Sequence, residues 1–292
     1  MEAVVKPRVL SAGRTVRWKA PQAGWLVLPA ILLLVVLFAY PVACLLVRSV
    51  STPQWGWGNF TWLFKHPVYL RVLLNTVIIS ATVTLCCAAI GYPFAYTMAT
   101  GSERTRQLLG FAVLLPFWTS ILVRSFAWIV LLQRTGPINQ LLLGLGLIER
   151  PVPLIYNRVG TLVGMVQVLL PFMVLPLYSF MVRINPIYMR AATTLGASPA
   201  RSFLRIYLPL SMPALMAGST LVFIVALGYF ITPALLGGPA DTMVAQLIQQ
   251  QIANFGDWGR AGALAVLLLG GTALILVITR RLFNSREAWS VM

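Results

Sequence analysis

Acidic residues, histidine and cysteine are scarce in this sequence, and their scarcity excludes most catalytic and metal-binding chemistry. The 292 residues include six Asp and Glu, one His and three Cys. Metal centres and acid–base pairs are built from these residue types, and His66 has no second histidine to act with. No phosphate-binding loop of the form GxxxxGK[ST] occurs either. We therefore predict a protein that is not an enzyme, does not hydrolyse ATP itself and holds neither a metal nor a cofactor.

Charged residues are also rare, and long apolar runs take their place. They make up 10% of the chain, against 59% hydrophobic residues, whereas a soluble domain has about 25% charged residues. A bilayer core about 30 Å thick is crossed by about 20 residues of helix. Six runs are long enough: 24–47, 73–99, 108–132, 159–182, 213–236 and 261–282. The sequence predicts an all-α integral membrane protein with six transmembrane helices over 21–283, a basic tail over 1–20 and a second tail over 284–292.

The positive charges indicate how these helices are oriented. Lys and Arg total 22, for a formal net charge of +16. Fourteen fall on the side that carries both termini and residues 183–212, and seven fall on the other side. Cytoplasmic loops are enriched in Lys and Arg, so both termini are expected in the cytoplasm. Because the basic residues flank membrane helices rather than forming one soluble face, we expect contacts with lipid headgroups and no binding of nucleic acid.

A polar segment over 189–209, reading MRAATTLGASPARSFLRIYLP, lies between two apolar runs, and its pattern predicts a helix–turn–helix. The small side chains of Ala191 and Ala192 would let another protein approach the first helix closely. Gly196 is placed to end that helix, as a glycine just past a helix end often does.

The second helix of the pair has its own start and stop signals. Ser198 can cap it and Pro199 suits its first position. Its apolar face is formed by Phe203, Ile206 and Tyr207, and its basic face by Arg201 and Arg205. Pro209 and Pro213 are expected to close the unit before the next span begins. An amphipathic interfacial helix without a partner is the alternative interpretation.

These residues resemble the cytoplasmic coupling-loop signature of permease subunits of ATP-binding-cassette (ABC) importers. The positions that match at the same spacing are Ala191, Ala192, Gly196, Ala197, Phe203, Ile206, Leu208 and Pro209. Arg190 stands where the signature has glutamate, so we expect acidic or neutral groups opposite it in the partner's groove. The resemblance implies docking on a cytoplasmic ATPase through Arg190, Ala191, Ala192, Gly196, Ala197, Arg201, Phe203, Arg205 and Pro209.

Four further segments resemble the spermidine/putrescine-type permeases in particular. They are GYPFAY at 91–96, LPFWTSILVRSFAW at 115–128, LLPFMVLPLY at 169–178 and ITPALLGGP at 231–239. The resemblance implies an inner-membrane subunit that pairs with a second, related permease in a heterodimer. It further implies two cytoplasmic ATP-binding subunits and an external solute-binding protein as partners. It favours a polyamine such as putrescine or spermidine as the solute, with an opine, a phosphonate or another small organic solute as alternatives.

Polar and aromatic residues of the spans are candidates for the solute pathway: Trp118, Arg124, Gln167 and Tyr229. Apart from Arg280 and Arg281 at the very end of the sixth run, Arg124 is the only charged residue within a span, and such a residue indicates function by default. It either snorkels to the outer surface or serves, with Trp118, as a polar gate or a contact for the binding protein. Gln167 and Tyr229, like Asn75, either line the pathway or make interhelical hydrogen bonds.

Prolines and glycines inside the spans suggest where helices bend or pack closely. Kinks are predicted at Pro93, Pro116, Pro171 and Pro176, since proline disrupts the helical hydrogen-bond ladder. Close packing of the sixth span is predicted from Gly262, Gly270 and Gly271.

The alternative function class is a secondary transporter driven by an ion gradient. Such a protein would usually have an intramembrane carboxylate for coupling, or internal repeats. Neither is evident in the sequence, so the ABC importer is the favoured function.

Overall fold

The computed structural model describes the backbone of residues 20–287, with side chains from Val27 to Thr279 and at Arg281, and contains no strand in that range. The predicted tail over 1–20 lies outside the described residues apart from Ala20, whereas 284–287 of the predicted second tail continue the last helix. The α-helices are α1 Ala20–Leu34, α2 Tyr40–Ser51, α3 Gly58–Lys65, α4 Pro67–Thr100, α5 Glu103–Leu114, α6 Ile121–Leu132, α7 Pro137–Gly144, α8 Arg158–Met181, α9 Ile187–Thr194, α10 Pro199–Ser202, α11 Leu208–Leu227, α12 Ile231–Leu236, α13 Val244–Ala253 and α14 Trp258–Glu287. The predicted all-α fold is confirmed.

Within that range, five helices are long and apolar enough to cross a membrane without a break. They are Val27–Ser51, Pro67–Thr100, Arg158–Met181, Pro199–Leu227 and Trp258–Thr279. Pro93, Pro171 and Pro176 lie inside two of these helices, which continue past them.

The predicted third span, 108–132, is not one helix. It consists of two parts, Glu103–Trp118 and Ile121–Gly144, and the chain bends by 104° between them. Pro116 lies in a 3₁₀ turn just before the break, and Thr119 then takes an extended conformation. Proline has no N–H to donate to the helical hydrogen-bond ladder. Where the sequence predicted a kink within one helix, the chain therefore leaves the helix and starts a new one in another direction. The described residues give six spans when this bent pair is counted as one.

The predicted fifth span, 213–236, has different limits in the structure. Its helix already begins at Pro199 and ends at Leu227, before a separate short helix α12. Pro209 and Pro213 therefore do not close the helix–turn–helix unit, as the sequence had led us to expect. A π-helical turn over Phe203–Tyr207 precedes Pro209. Such a turn shifts the hydrogen-bond register by one residue, which lets a residue without an N–H enter a continuous helix.

The centre of the bundle is formed by α4, α8 and α11 around Met173, which is fully buried. Gly91 of α4 and Gly218 of α11 both lie against it. A Cβ atom added to Gly91 would lie 2.9 Å from Met173 Cγ, and one added to Gly218 would lie 3.0 Å from Met173 Sδ. Small residues permit this approach of neighbouring helices. A smaller apolar cluster joins α3, α13 and α14 through Leu63, Val244, Ala263 and Leu264.

A second close approach lies at the start of α8, where Gly160 and Gly164 face α12. A Cβ on Gly160 would lie 2.8 Å from the Leu236 carbonyl oxygen, and one on Gly164 would lie 2.5 Å from Thr232 Cγ2. In contrast, a Cβ on Gly270 or on its neighbour Gly271 would meet nothing within 4 Å. The prediction of close packing through those two glycines of the sixth span is therefore wrong.

Candidate functional site

The segment between α8 and α11 folds as the helix–turn–helix that its residues predict. Gly196 has a φ of +79°, a backbone conformation in which glycine avoids the cost that a side chain imposes. The N–H of Ala197 donates to the Ala192 carbonyl at 3.0 Å, which closes the end of α9. Ser198 Oγ accepts the N–H of Arg201 at 3.4 Å and thereby caps α10. The predicted turn and cap are confirmed.

Most of this loop is open to a partner. Five of the predicted coupling residues are exposed: Arg190, Ala191, Gly196, Arg201 and Arg205. Ala197 is half-buried, and Ala192 is buried. The two alanines thus differ, since Ala191 leaves room on the surface and Ala192 packs inward. Large apolar side chains are exposed among the arginines, with Leu195 at 88%; the others are Ile187, Tyr188 and Leu204. We refer to residues 187–207 as the coupling loop.

An aromatic cluster joins the coupling loop to the second span. Phe203 stands edge-on to Tyr96, with ring centroids 5.3 Å apart, and Tyr96 stands edge-on to Tyr207 at 5.0 Å. The Tyr92 hydroxyl lies 2.7 Å from Ser211 Oγ. The sequence placed Phe203 and Tyr207 on an apolar face, but it did not identify their partners on α4. The loop is therefore in direct contact with the C-terminal end of α4.

A cavity of about 470 Å³ lies beside this cluster. It lies between the loop and the ends of α4 and α8 together with the start of α5, and its lining includes Tyr96, Arg106, Asn185, Met189 and Tyr207. Arg106 is paired with Glu103 at 2.9 Å. Tyr96 and Tyr207 thus contact each other in the aromatic cluster and also line the cavity.

The four pathway candidates separate into different surroundings. Arg124 on α6 is half-buried and lies within electrostatic range of Tyr229, in the break between α11 and α12. Gln167 instead accepts the indole N–H of Trp128 at 3.4 Å. Trp118 is 74% exposed and has Phe111 as its ring neighbour, at 5.8 Å. The structure thus shows Gln167 and Trp118 in pairings with Trp128 and Phe111, outside the set of four candidates.

Another polar network fixes the loop that follows α12. Arg158 forms an ion pair with the buried Asp241 at 3.2 Å and a hydrogen bond with Asn75 Oδ1. Asn75 also donates to the carbonyls of Ala240 and Thr242, both at 3.2 Å. Of the two roles left open for Asn75, these contacts favour a structural one.

The comparisons with known proteins agree with this arrangement. Residues 91–287 match the family described as the binding-protein-dependent transport system inner membrane component. The chain belongs to this family. It is 34% identical over 270 residues to the spermidine/putrescine permease PotB of Escherichia coli, covering 90% of this chain and 96% of the relative. It is 36% identical over 223 residues to PotB of Haemophilus influenzae, covering 76% and 78%.

Solved structures of ABC transporters share the fold of this permease. A chain of a bacterial alginate ABC transporter superposes with a TM-score of 0.73 at 19% identity, covering 90% of this chain and 95% of that one. A chain of the MetNI methionine transporter superposes with a TM-score of 0.56 at 16% identity, covering 77% and 97%. At these identities the likeness concerns the fold alone. The chain is an ABC importer permease in the inner membrane, and the predicted family and type are confirmed.

Proposed function

We propose that this permease imports a polyamine such as putrescine or spermidine, together with partners that supply energy and solute. Its resemblance to PotB over 96% of that protein's length supports the solute class. A cation would be expected to cross along carbonyl, hydroxyl and aromatic groups, and Tyr229 and Trp118 are available for that role.

The proposal that ATP hydrolysis by partner subunits drives transport is based on the coupling loop. Its exposed apolar and basic side chains suit a cytoplasmic ATPase, and its aromatic cluster connects that surface to α4. We infer that two ATP-binding subunits dock on the complex, one through this loop, while a second, related permease completes the pathway. An external binding protein delivers the solute. The residues proposed for this coupling role are Arg190, Ala191, Ala192, Gly196, Ala197, Arg201, Phe203, Arg205 and Pro209. Of these, the buried Ala192 and the half-buried Phe203 hold the loop in place, and the others are available to the ATPase.

The solute class is tested with the external binding protein of this system. We expect putrescine or spermidine to bind it with micromolar or tighter affinity in equilibrium titrations. Uptake should stop when the ATPase is inactivated and persist with an uncoupler at constant ATP. Binding of an anionic solute, with neither polyamine bound, would reject the solute class but leave the importer function in place.

Topology is a separate expectation. The permease domain is proposed to span 21–283, with the tails over 1–20 and 284–292 and the 183–212 segment in the cytoplasm, because Lys and Arg concentrate on that side. Reporter fusions at Ser102 and Ala197 should report a cytoplasmic location, and a fusion at Gly146 should report an external one. An external signal from Ala197 would reverse the orientation and exclude ATPase contact there.

A further inference from the structure

A second cavity, of about 190 Å³, lies between the end of α8 and the N-terminal part of α11, next to the start of α9. It is lined by Phe180, Arg183, Ile184, Asn185, Tyr188 and Leu210. All of these residues except Ile184 are exposed. None of the residues proposed to couple this permease to the ATPase lines it.

One end of this cavity is apolar and belongs to membrane-spanning helices. Phe180 lies on the helix Arg158–Met181 and Leu210 on the helix Pro199–Leu227, and both helices are long and apolar enough to cross a membrane. Leu210 and Leu227 are about 26 Å apart along their helix at ~1.5 Å per residue, close to the ~30 Å thickness of a bilayer core. Leu210 is therefore placed near the edge of that core, where acyl chains meet headgroups.

The other end of the cavity is basic and lies just beyond the span. The N–H of Arg183 donates to the Phe180 carbonyl at 3.0 Å, which places Arg183 directly past the end of α8. Its guanidinium has neither a hydrogen-bond nor an ion-pair partner among the residues that the structure describes. A guanidinium donates several hydrogen bonds in a planar fork that matches the oxygens of a phosphate group.

Two further polar side chains lie at the same end. Asn185 Oδ1 accepts the N–H of Ile187 at 3.0 Å, so the amide N–H groups of Asn185 remain available as donors. Tyr188 adds a hydroxyl, and no acidic residue is among the lining residues. The cavity thus offers hydrogen-bond donors and a positive charge at one end and apolar side chains at the other.

We propose that this cavity binds an anionic phospholipid, with the headgroup phosphate on Arg183 and Asn185 and an acyl chain against the apolar end. Basic pockets between membrane helices bind such headgroups. A cytoplasmic protein fits less well, because part of the lining belongs to the spans themselves. Ile187 begins α9, and Asn185 holds its N–H, so the bound lipid steadies the start of the coupling loop.

The test uses the complete complex, with phosphatidylglycerol as the probe and native mass spectrometry as the measure of lipid binding. We expect Arg183→Gln to weaken phosphatidylglycerol binding about fivefold, the effect of one basic residue near an anionic membrane surface. Phosphatidylcholine, whose headgroup has no net charge, should compete poorly for the site.

Arg104→Gln is the matched control for this change. Arg104 is exposed in the first turn of α5, on the same predicted side of the membrane, and lies outside the cavity. The same loss of charge there should leave phosphatidylglycerol binding at the wild-type level. Equal membrane abundance and equal apparent Tm of the two variants exclude a failure to fold or insert.

Three results would overturn the lipid site. Equal weakening by Arg183→Gln and Arg104→Gln would mean that overall charge, and not the cavity, sets the affinity. Displacement of phosphatidylglycerol by soluble glycerol phosphate would make the cavity a site for free phosphate compounds. Loss of ATPase co-purification from Arg183→Gln with lipid binding intact would make it a protein contact. Because the readout is lipid binding, failure of the polyamine or ATPase assignment does not affect it.

Discussion

Gly196→Asp is expected to lower both ATPase association and solute uptake by about tenfold while leaving the membrane-spanning helices folded. Gly196 has a φ of +79°, and a side chain there would have nothing within 4 Å. The cost is therefore backbone strain of roughly 1–2 kcal/mol, which corresponds to about a 5- to 30-fold shift in a conformational equilibrium. The aspartate also adds bulk and charge on the surface proposed to meet the ATPase. Co-purification of the ATPase and initial uptake rates measure the effect.

Gly146→Asp is the matched control for this change. Gly146 also has a positive φ, of +68°, and also has free space around it, but it lies in the loop after α7, on the predicted outer side. The same strain and charge there should leave ATPase association at the wild-type level. If both variants, or neither, lose the ATPase, the assignment of the coupling loop to ATPase docking is wrong.

Gly160→Leu is expected to destabilise the fold more than Gly196→Asp does. Its Cβ would lie 2.8 Å from the Leu236 carbonyl oxygen and 3.1 Å from that of Leu154. Both obstacles are backbone atoms, and the Leu236 carbonyl also accepts the N–H of Tyr156 at 2.9 Å. Overpacking of this kind costs about 1–3 kcal/mol or more. We expect a lower apparent Tm of the purified complex and a smaller yield of folded protein.

Gly270→Leu provides the comparison within the same membrane domain. A Cβ on Gly270 meets nothing within 4 Å, and the added side chain is apolar on a membrane-spanning helix. Its apparent Tm should match the wild type. An equal loss of stability from Gly160→Leu and Gly270→Leu would show that the contact between α8 and α12 does not have the importance given to it here.

Features encoded within a few residues could be predicted from the sequence. The positive φ of Gly196 and the cap at Ser198 follow from short-range rules about glycine and hydroxyl side chains. The number of spans likewise follows from hydropathy. The places where two spans are interrupted cannot be predicted in this way, because the averaged hydropathy remains high across Thr119 and Gly228. Only Pro116 hinted at the first of them.

Contacts between distant segments do not follow from short-range sequence patterns. Phe203 meets α4 more than a hundred residues earlier in the chain, and nothing in its own neighbourhood names Tyr96. The close approach at Gly160 and Gly164 did have a signal, since small residues four apart favour tight helix contacts in membranes. Close packing was predicted instead for Gly270 and Gly271 of the sixth span, although the spacing of glycines does not reveal which face of a helix meets a neighbour.

The π-helical turn before Pro209 has a mechanical consequence. Because the helix does not end there, the second half of the coupling loop and the fifth span are one element of 29 residues, about 43 Å long at ~1.5 Å per residue. A hydrogen-bonded helix resists compression along its axis. An axial displacement of Pro199 would therefore be carried to Leu227, next to the interruption that holds Tyr229. If an ATPase docks on the coupling loop as proposed, its movement would reach the start of α12 through one continuous helix.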